Sequence, residues 1–176
     1  MSHIFDGDGM VSRLELGPDG VHYRNRYVRT ASYEKTNRTR RPAKGFGTQR
    51  LGGPLANALR FPENMANTNV LLHEGSLYSL WEGGRPHELD PVSLDTVGPE
   101  SFDGMLKRLG AFSAHPKTDP RTGDVFNFGL DFYPRPMIRC YRLDRRARLH
   151  GVATIPIPEL GFIHDFALTE RHMVFV

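Results

Sequence analysis

Short apolar-rich segments recur along this chain about every 8–14 residues, each closed by Gly, Pro, Asp or Asn, a rhythm that favours short β-strands joined by tight turns. Val11–Leu16 alternates apolar and polar residues, Gly17-Pro18-Asp19-Gly20 supplies a turn, and Val21–Val28 follows, so the pair predicts a hairpin. A second predicted hairpin joins Thr68–His73 to Ser76–Trp81 through Glu74-Gly75. Further strands are predicted at Gly110–Ala114, Val125–Phe128, Met137–Leu143, Arg148–Ile155, Phe162–Leu168 and Met173–Val176, with turns at Leu89-Asp90-Pro91 and Asp119–Gly123. Thr30–Arg40 has room for one short helix, Ser101–Leu109 carries a weak helical pattern, and residues 41–62 read as a long loop. With 18 Gly and 13 Pro in 176 residues, the expected fold is all-β, a sandwich or a propeller.

Charge narrows the function classes. The net charge is only +3, and the basic residues gather in Arg38, Arg40, Arg41, Lys44 and in Arg142, Arg145, Arg146, Arg148. Neither group is interleaved with aromatics, so both read as solvated segments and no nucleic-acid partner is expected. The single cysteine, Cys140, rules out an internal disulfide and fits a reducing compartment. No secretory signal opens the chain and no apolar run approaches the roughly 20 residues of a membrane span. A cytoplasmic location is expected, and peripheral membrane contact by a longer parent protein stays open. The chain opens in a Gly-Asp turn and stops inside the apolar run Val174-Phe175-Val176, so it is expected to be cut from something longer.

Three segments place a Glu or His beside a predicted strand: Leu80–Gly84 with Glu82, Ser113–Gly123 with His115, and Ile163–Glu170 with His164. Glu82 and His115 are 33 residues apart, and His115 and His164 are 49 apart. Propeller blades take about 40–50 residues, so one residue from each of three successive blades could meet near an axis. Neutral imidazole suits Fe, Zn, Cu and Ni, and a carboxylate commonly orients such a ligand. Spacing alone identifies none of these metals. His73, His87, His150 and His172 belong to no such segment. Asp6-Gly7-Asp8-Gly9 lacks the further ligands of a calcium loop and reads as a turn.

Eight short motifs occur in one order: Asp6–Met10, Asn25–Thr30, Asn67–Val70, Leu80–Gly84, Leu89-Asp90-Pro91, Ala114–Lys117, Asp119–Gly123 and His164–Glu170. In that order they resemble the carotenoid cleavage oxygenases over nearly the whole chain. The resemblance implies a seven-bladed β-propeller with Fe(2+) on its axis, held by four histidines with three supporting glutamates. It implies that His115 and His164 are the first two ligands, that Glu82 supports His164, and that the remaining ligands lie outside residues 1–176. This chain would then be roughly three blades of the propeller, lacking an opening N-terminal segment and the C-terminal part. The implied reaction is cleavage of a conjugated C=C bond of an apolar polyene by O2.

The resemblance also bears on substrate. Family members that cleave phenolic stilbenes carry a Lys just before this Glu, whereas here the residue is Trp81, an apolar wall for a substrate tunnel or simply part of the core. A carotenoid or apocarotenoid is therefore expected ahead of a stilbene. A non-catalytic propeller segment that binds an apolar ligand is the second reading. Residues 1–176 alone, with two of four ligands and open sheet edges, are expected to lack oxygenase activity and to aggregate.

Overall fold

The computed structural model describes residues 6–40, 63–132, 134–159, 161 and 163–175. The long loop expected over residues 41–62, with Arg41 and Lys44 in it, lies outside them.

The first hairpin is present, β1 (Met10–Gly17) against β2 (Gly20–Tyr27), closed by the Gly17–Gly20 turn. It is followed by α1 (Ala31–Thr39), whose start is fixed by Thr30. The Thr30 hydroxyl accepts from the Tyr33 N–H at 3.0 Å, an N-cap that satisfies one of the helix's unpaired donors. Arg40 ends the helix in the left-handed region, its N–H returning to the Thr36 carbonyl.

Two four-stranded antiparallel sheets follow, each with strands neighbouring in chain order. The first contains β3 (Asn69–His73), β4 (Ser76–Leu80), β5 (His87–Leu89) and β6 (Thr96–Pro99). The second contains β7 (Lys117–Thr118), β8 (Val125–Asp131), β9 (Met137–Leu143) and β10 (Leu149–Pro156). A four-stranded meander of this kind is the repeating unit of a β-propeller. A final two-stranded ladder pairs β11 (Ala167–Leu168) with β12 (Met173–Val174). The described chain is thus mostly β-sheet with one short helix.

The turns obey local chemistry. Glu74 and Gly75 both take positive φ, 47° and 88°, as the two-residue hairpin joining β3 to β4 requires. Between β7 and β8 the Asp119 carboxylate accepts from the Arg121 N–H at 2.9 Å, while Gly123 adopts φ 77°.

Three predicted elements differ. Ser101–Leu109 forms turns instead of a helix, because Phe102, Asp103 and Gly104 all sit at positive φ. Gly110–Ala114 makes only a single bridge, Phe112 to Trp81, since its N–H groups are divided between two neighbours: Phe112 donates to Gly84 and Ser113 to Phe128. Of the described residues in Phe162–Leu168, Ala167 and Leu168 form β11, and those before them, His164 among them, lie outside any strand.

The core follows from the strand faces. Leu80, Phe112, Val125, Leu143 and their neighbours form one cluster between the two large sheets, with Phe102 tilted against both Tyr78 and Phe112. Cys140 joins Phe128, Ile138 and Phe166 in a second cluster, and burial pushes its thiol up, as suits an inert structural cysteine. The sheets are also clasped at their turns. His73 lies 2.8 Å from the Asp144 carbonyl and Arg145 meets Glu74 across the sheets, while His150 lies 2.8 Å from the Asp144 carboxylate within the second. His150 and the backbone N–H groups of Arg148 and Arg146 hold the Asp144 carboxyl well below the usual carboxylate range. Of the basic group, Arg145, Arg146 and Arg148 are exposed at the turn after β9, as expected, whereas Arg142 is partly buried on β9 beside Asp124.

His87 gives a pH-dependence with a definite sign. It is 6% exposed on β5, its Nδ1 has no hydrogen-bond partner, and burial, followed by nearby Arg85, pushes its pKa down to about 4. The unfolded chain binds this proton near pH 6.5 and the folded chain excludes it until about pH 4. Stability is therefore present above pH 6.5 and lost as the pH falls toward 4, by about 2–3 kcal/mol from this residue. Denaturant titrations at about pH 7 and about pH 4.5 should show His87→Gln losing distinctly less stability than the parent on acidification.

Candidate metal centre

The site is assembled where the chain crosses between the two large sheets. Trp81 ends the first hairpin of that region and Glu82 begins the Gly83-Gly84 turn behind it. Gly84 packs against the Asn64 amide so closely that a Cβ there would meet its Nδ2 at 2.6 Å. That close turn lets the Gly84 carbonyl accept from the Phe112 N–H at 3.1 Å. Segment 112–115 is thereby laid beside Glu82.

The same segment is held from other sides by two side-chain amides. Asn127 of β8, fully buried, donates to the Ser113 carbonyl at 2.7 Å, and Asn69 of β3 donates to the Ala114 carbonyl at 2.8 Å. These bonds satisfy carbonyls that no ladder reaches. Ser113 in turn donates its hydroxyl to Glu82 Oε2 at 3.3 Å, and the Ala114 N–H also points to the Glu82 carboxylate. His115 follows at once, before Pro116.

His164 arrives from the far side of the second sheet. Its neighbour Phe166 is 5% exposed and stands edge-on to Phe128 at 5.6 Å, anchoring the segment in the second core cluster. The three predicted site residues converge. One ligand atom from each of Glu82, His115 and His164 lies within 4.8 Å of the others. Glu82 Oε1 is 3.1 Å from His164 Nδ1 and 3.5 Å from His115 Nε2, and the imidazole centroids are 4.3 Å apart.

The electrostatics favour a cation. The Glu82 side chain is only 12% exposed, and burial raises its pKa more than the two imidazoles, Ser113 and the Ala114 N–H lower it. His115 Nε2 is buried without a hydrogen-bond partner. Leaving such a nitrogen unpaired is costly, and a metal ion beside it would satisfy it. Imidazole nitrogen suits Fe, Zn, Cu or Ni, so the two histidines fit an iron site. Glu82 at His164 Nδ1 is also the carboxylate–histidine contact that fixes a ligand's ring and tautomer.

Trp81, the tunnel candidate, is 4% exposed, and its ring packs over the Gly83-Gly84 backbone. Asn127 is a site residue that sequence reasoning misses. Its signal is a polar residue inside the apolar run Val125–Leu130, where an uncharged amide on a buried strand must answer a specific backbone group. Ser113 lies in the His115 segment, but nothing in the sequence points its hydroxyl at Glu82.

Comparison with known proteins identifies the family. The sequence model of the retinal pigment epithelial membrane protein family matches residues 1–176. The apocarotenoid-15,15'-oxygenase of Synechocystis is 36% identical across the whole chain. The resveratrol cleavage oxygenase 1 of Aspergillus fumigatus is 33% identical over 97% of the chain. A cobalt-substituted structure of the Synechocystis oxygenase superposes with a TM-score of 0.84 at 33% identity, covering 99% of this chain. The chain spans 38% of the Synechocystis relative and 34% of the Aspergillus one. Among the described residues no helix is long and apolar enough to cross a membrane. The chain belongs to the retinal pigment epithelial membrane protein family, that of the carotenoid oxygenases.

Proposed function

We propose that this chain is the part of a non-haem Fe(2+) dioxygenase that supplies two of its iron ligands, and that the whole protein cleaves a conjugated C=C bond of a carotenoid or apocarotenoid with O2. The convergence of Glu82, His115 and His164 carries the proposal. His115 and His164 hold the metal through neutral nitrogens, and Glu82 holds the His164 ring by its Nδ1. Iron bound there supplies the one-electron and O2 chemistry that protein side chains lack. The protein's own share is orientation and exclusion of water. Ser113 and the Ala114 N–H fix the carboxylate, Asn69 and Asn127 fix the backbone before His115, and the aromatic core behind them keeps the rear of the site dry.

The four-stranded meanders β3–β6 and β7–β10 are read as two propeller blades, with the β1–β2 hairpin and the β11–β12 ladder belonging to others, so that roughly three blades are represented. Relatives named for carotenoid and for stilbene substrates occur side by side. Trp81 favours the former: a buried indole before Glu82 offers no cation to a phenol oxygen, and an apolar wall suits a polyene. Residues 1–176 by themselves, with two histidine ligands, are read as inactive.

The test is iron content and product formation by the protein expressed from its full reading frame, loaded with Fe(II) under anaerobic conditions. Near-stoichiometric iron together with aldehyde or ketone products from an apocarotenoid supports the proposal. Iron with products only from a stilbene moves the substrate and keeps the chemistry. A folded protein that takes up no iron sinks the oxygenase reading and leaves an apolar-ligand-binding propeller segment.

A further inference from the structure

We infer that Lys117 is a positioning residue of this centre: seated on Asp165 and Phe166, its ammonium sets the backbone that presents His164 to His115. The inference rests on reading Glu82, His115 and His164 as a metal centre. Lys117 Nζ lies 2.8 Å from Asp165 Oδ1 and 3.1 Å from Oδ2, and 5.8 Å from the centre of the Phe166 ring. A side chain two residues after His115 thus grips the two residues that follow His164. Pro116, with its fixed φ, stiffens the step between His115 and its tether.

Before His115, Ser113 and Ala114 are bonded to Glu82, to Asn69, to Asn127 and to Phe128. His164 precedes the two-residue strand β11, in backbone that belongs to no ladder, and its side chain is 54% exposed. Asp165 follows it directly. Its Oδ1 accepts from the Phe166 N–H at 2.7 Å while its carboxylate receives Lys117. Fixing that carboxylate therefore fixes the chain direction immediately after His164. Lys117 and Asp165 are themselves 33% and 48% exposed, so the pair adds little to global stability. Its effect falls on the alignment of the ligands, where outer partners of metal sites are felt most.

The experiment is a Co(II) titration of the protein from its full reading frame, followed by visible absorption, with chemical unfolding alongside. The variants are Lys117→Met, the conservative Lys117→Arg, and Arg145→Met. The last breaks a comparably exposed pair with Glu74 at the far turns. Lys117→Met is expected to bind Co(II) about three- to tenfold more weakly with an altered absorption band, at a nearly unchanged unfolding midpoint. Lys117→Arg, which keeps a cation on the Asp165 carboxylate, should retain most of the parent's affinity, and Arg145→Met should match the parent. Affinity within about twofold of the parent and an unchanged band in Lys117→Met overturn the inference while leaving the metal centre standing. Failure of the parent to take up Co(II) overturns both.

Discussion

Bound iron is expected to fall from near-stoichiometric to background when either His115 or His164 is replaced by alanine, and only partly when Glu82 is replaced by glutamine. Each histidine would contribute a bond directly to the ion. Its loss leaves a gap that no other described side chain fills, since only Glu82, His115 and His164 share the cluster. Glu82 acts through His164 Nδ1 and through charge. Glutamine there keeps the shape and a hydrogen-bonding oxygen but removes the anion, and such outer partners typically cost about 10–100-fold in affinity. The ordering is the diagnostic part: alanine at either histidine should exceed Glu82→Gln in effect at every metal concentration, read as metal per chain after equilibrium dialysis. If Glu82→Gln lost as much metal as His115→Ala, the carboxylate would itself be a direct ligand.

The second large effect is structural and comes from a residue with no side chain. Gly129 lies in β8, where a Cβ would stand 2.0 Å from the Ala111 carbonyl oxygen and 2.7 Å from its carbon. Both are backbone atoms, so no rotamer change relieves the clash. Gly129→Ala should therefore push the crossing segment off the second sheet, costing about 3 kcal/mol or more, the upper end for overpacking a core. Soluble yield and the unfolding midpoint measure it. Because the displaced segment leads to Ser113 and His115, the residual folded protein should also bind metal poorly. Alanine substituted for Gly151, where a Cβ meets nothing within 4 Å, is the matched control and should be tolerated.

Much of this arrangement is legible in the sequence, and the exceptions have physical causes. The β1–β2 hairpin and β9 can be read because alternation and Gly-Pro-Asp-Gly chemistry are local. The short helix after Thr30 can be read for the same reason. Strand β6 escapes notice because Val97-Gly98-Pro99 is written in turn residues, which a sheet edge tolerates. Strand β7 is two residues long, too short for any period to show. Segment 110–114 reads as a strand by composition, yet its hydrogen bonds are shared between Gly84 and Phe128, which only the folded chain brings to it. At the site, Glu82, His115 and His164 stand out through ordered motifs. Ser113 and Asn127 do not, and Lys117 lies in a motif without its role showing, because these roles depend on residues 31, 14 and 48 positions away.

The nearest-neighbour order of strands within each sheet has a consequence for how such a centre comes into being. Every ladder in β3–β6 and in β7–β10 joins consecutive strands, so each sheet can zip up from its own hairpins with short loop closures as the chain is made. Glu82 hangs in the β4–β5 connection of one sheet, His115 ahead of the other and His164 behind it. No single sheet carries a pair of these groups on its own strands. The centre thus matures only when separately formed pieces meet, and the free energy of an ion held there acts on the seam between them, not on any strand pairing. Removing the ion would loosen that seam and leave each meander intact.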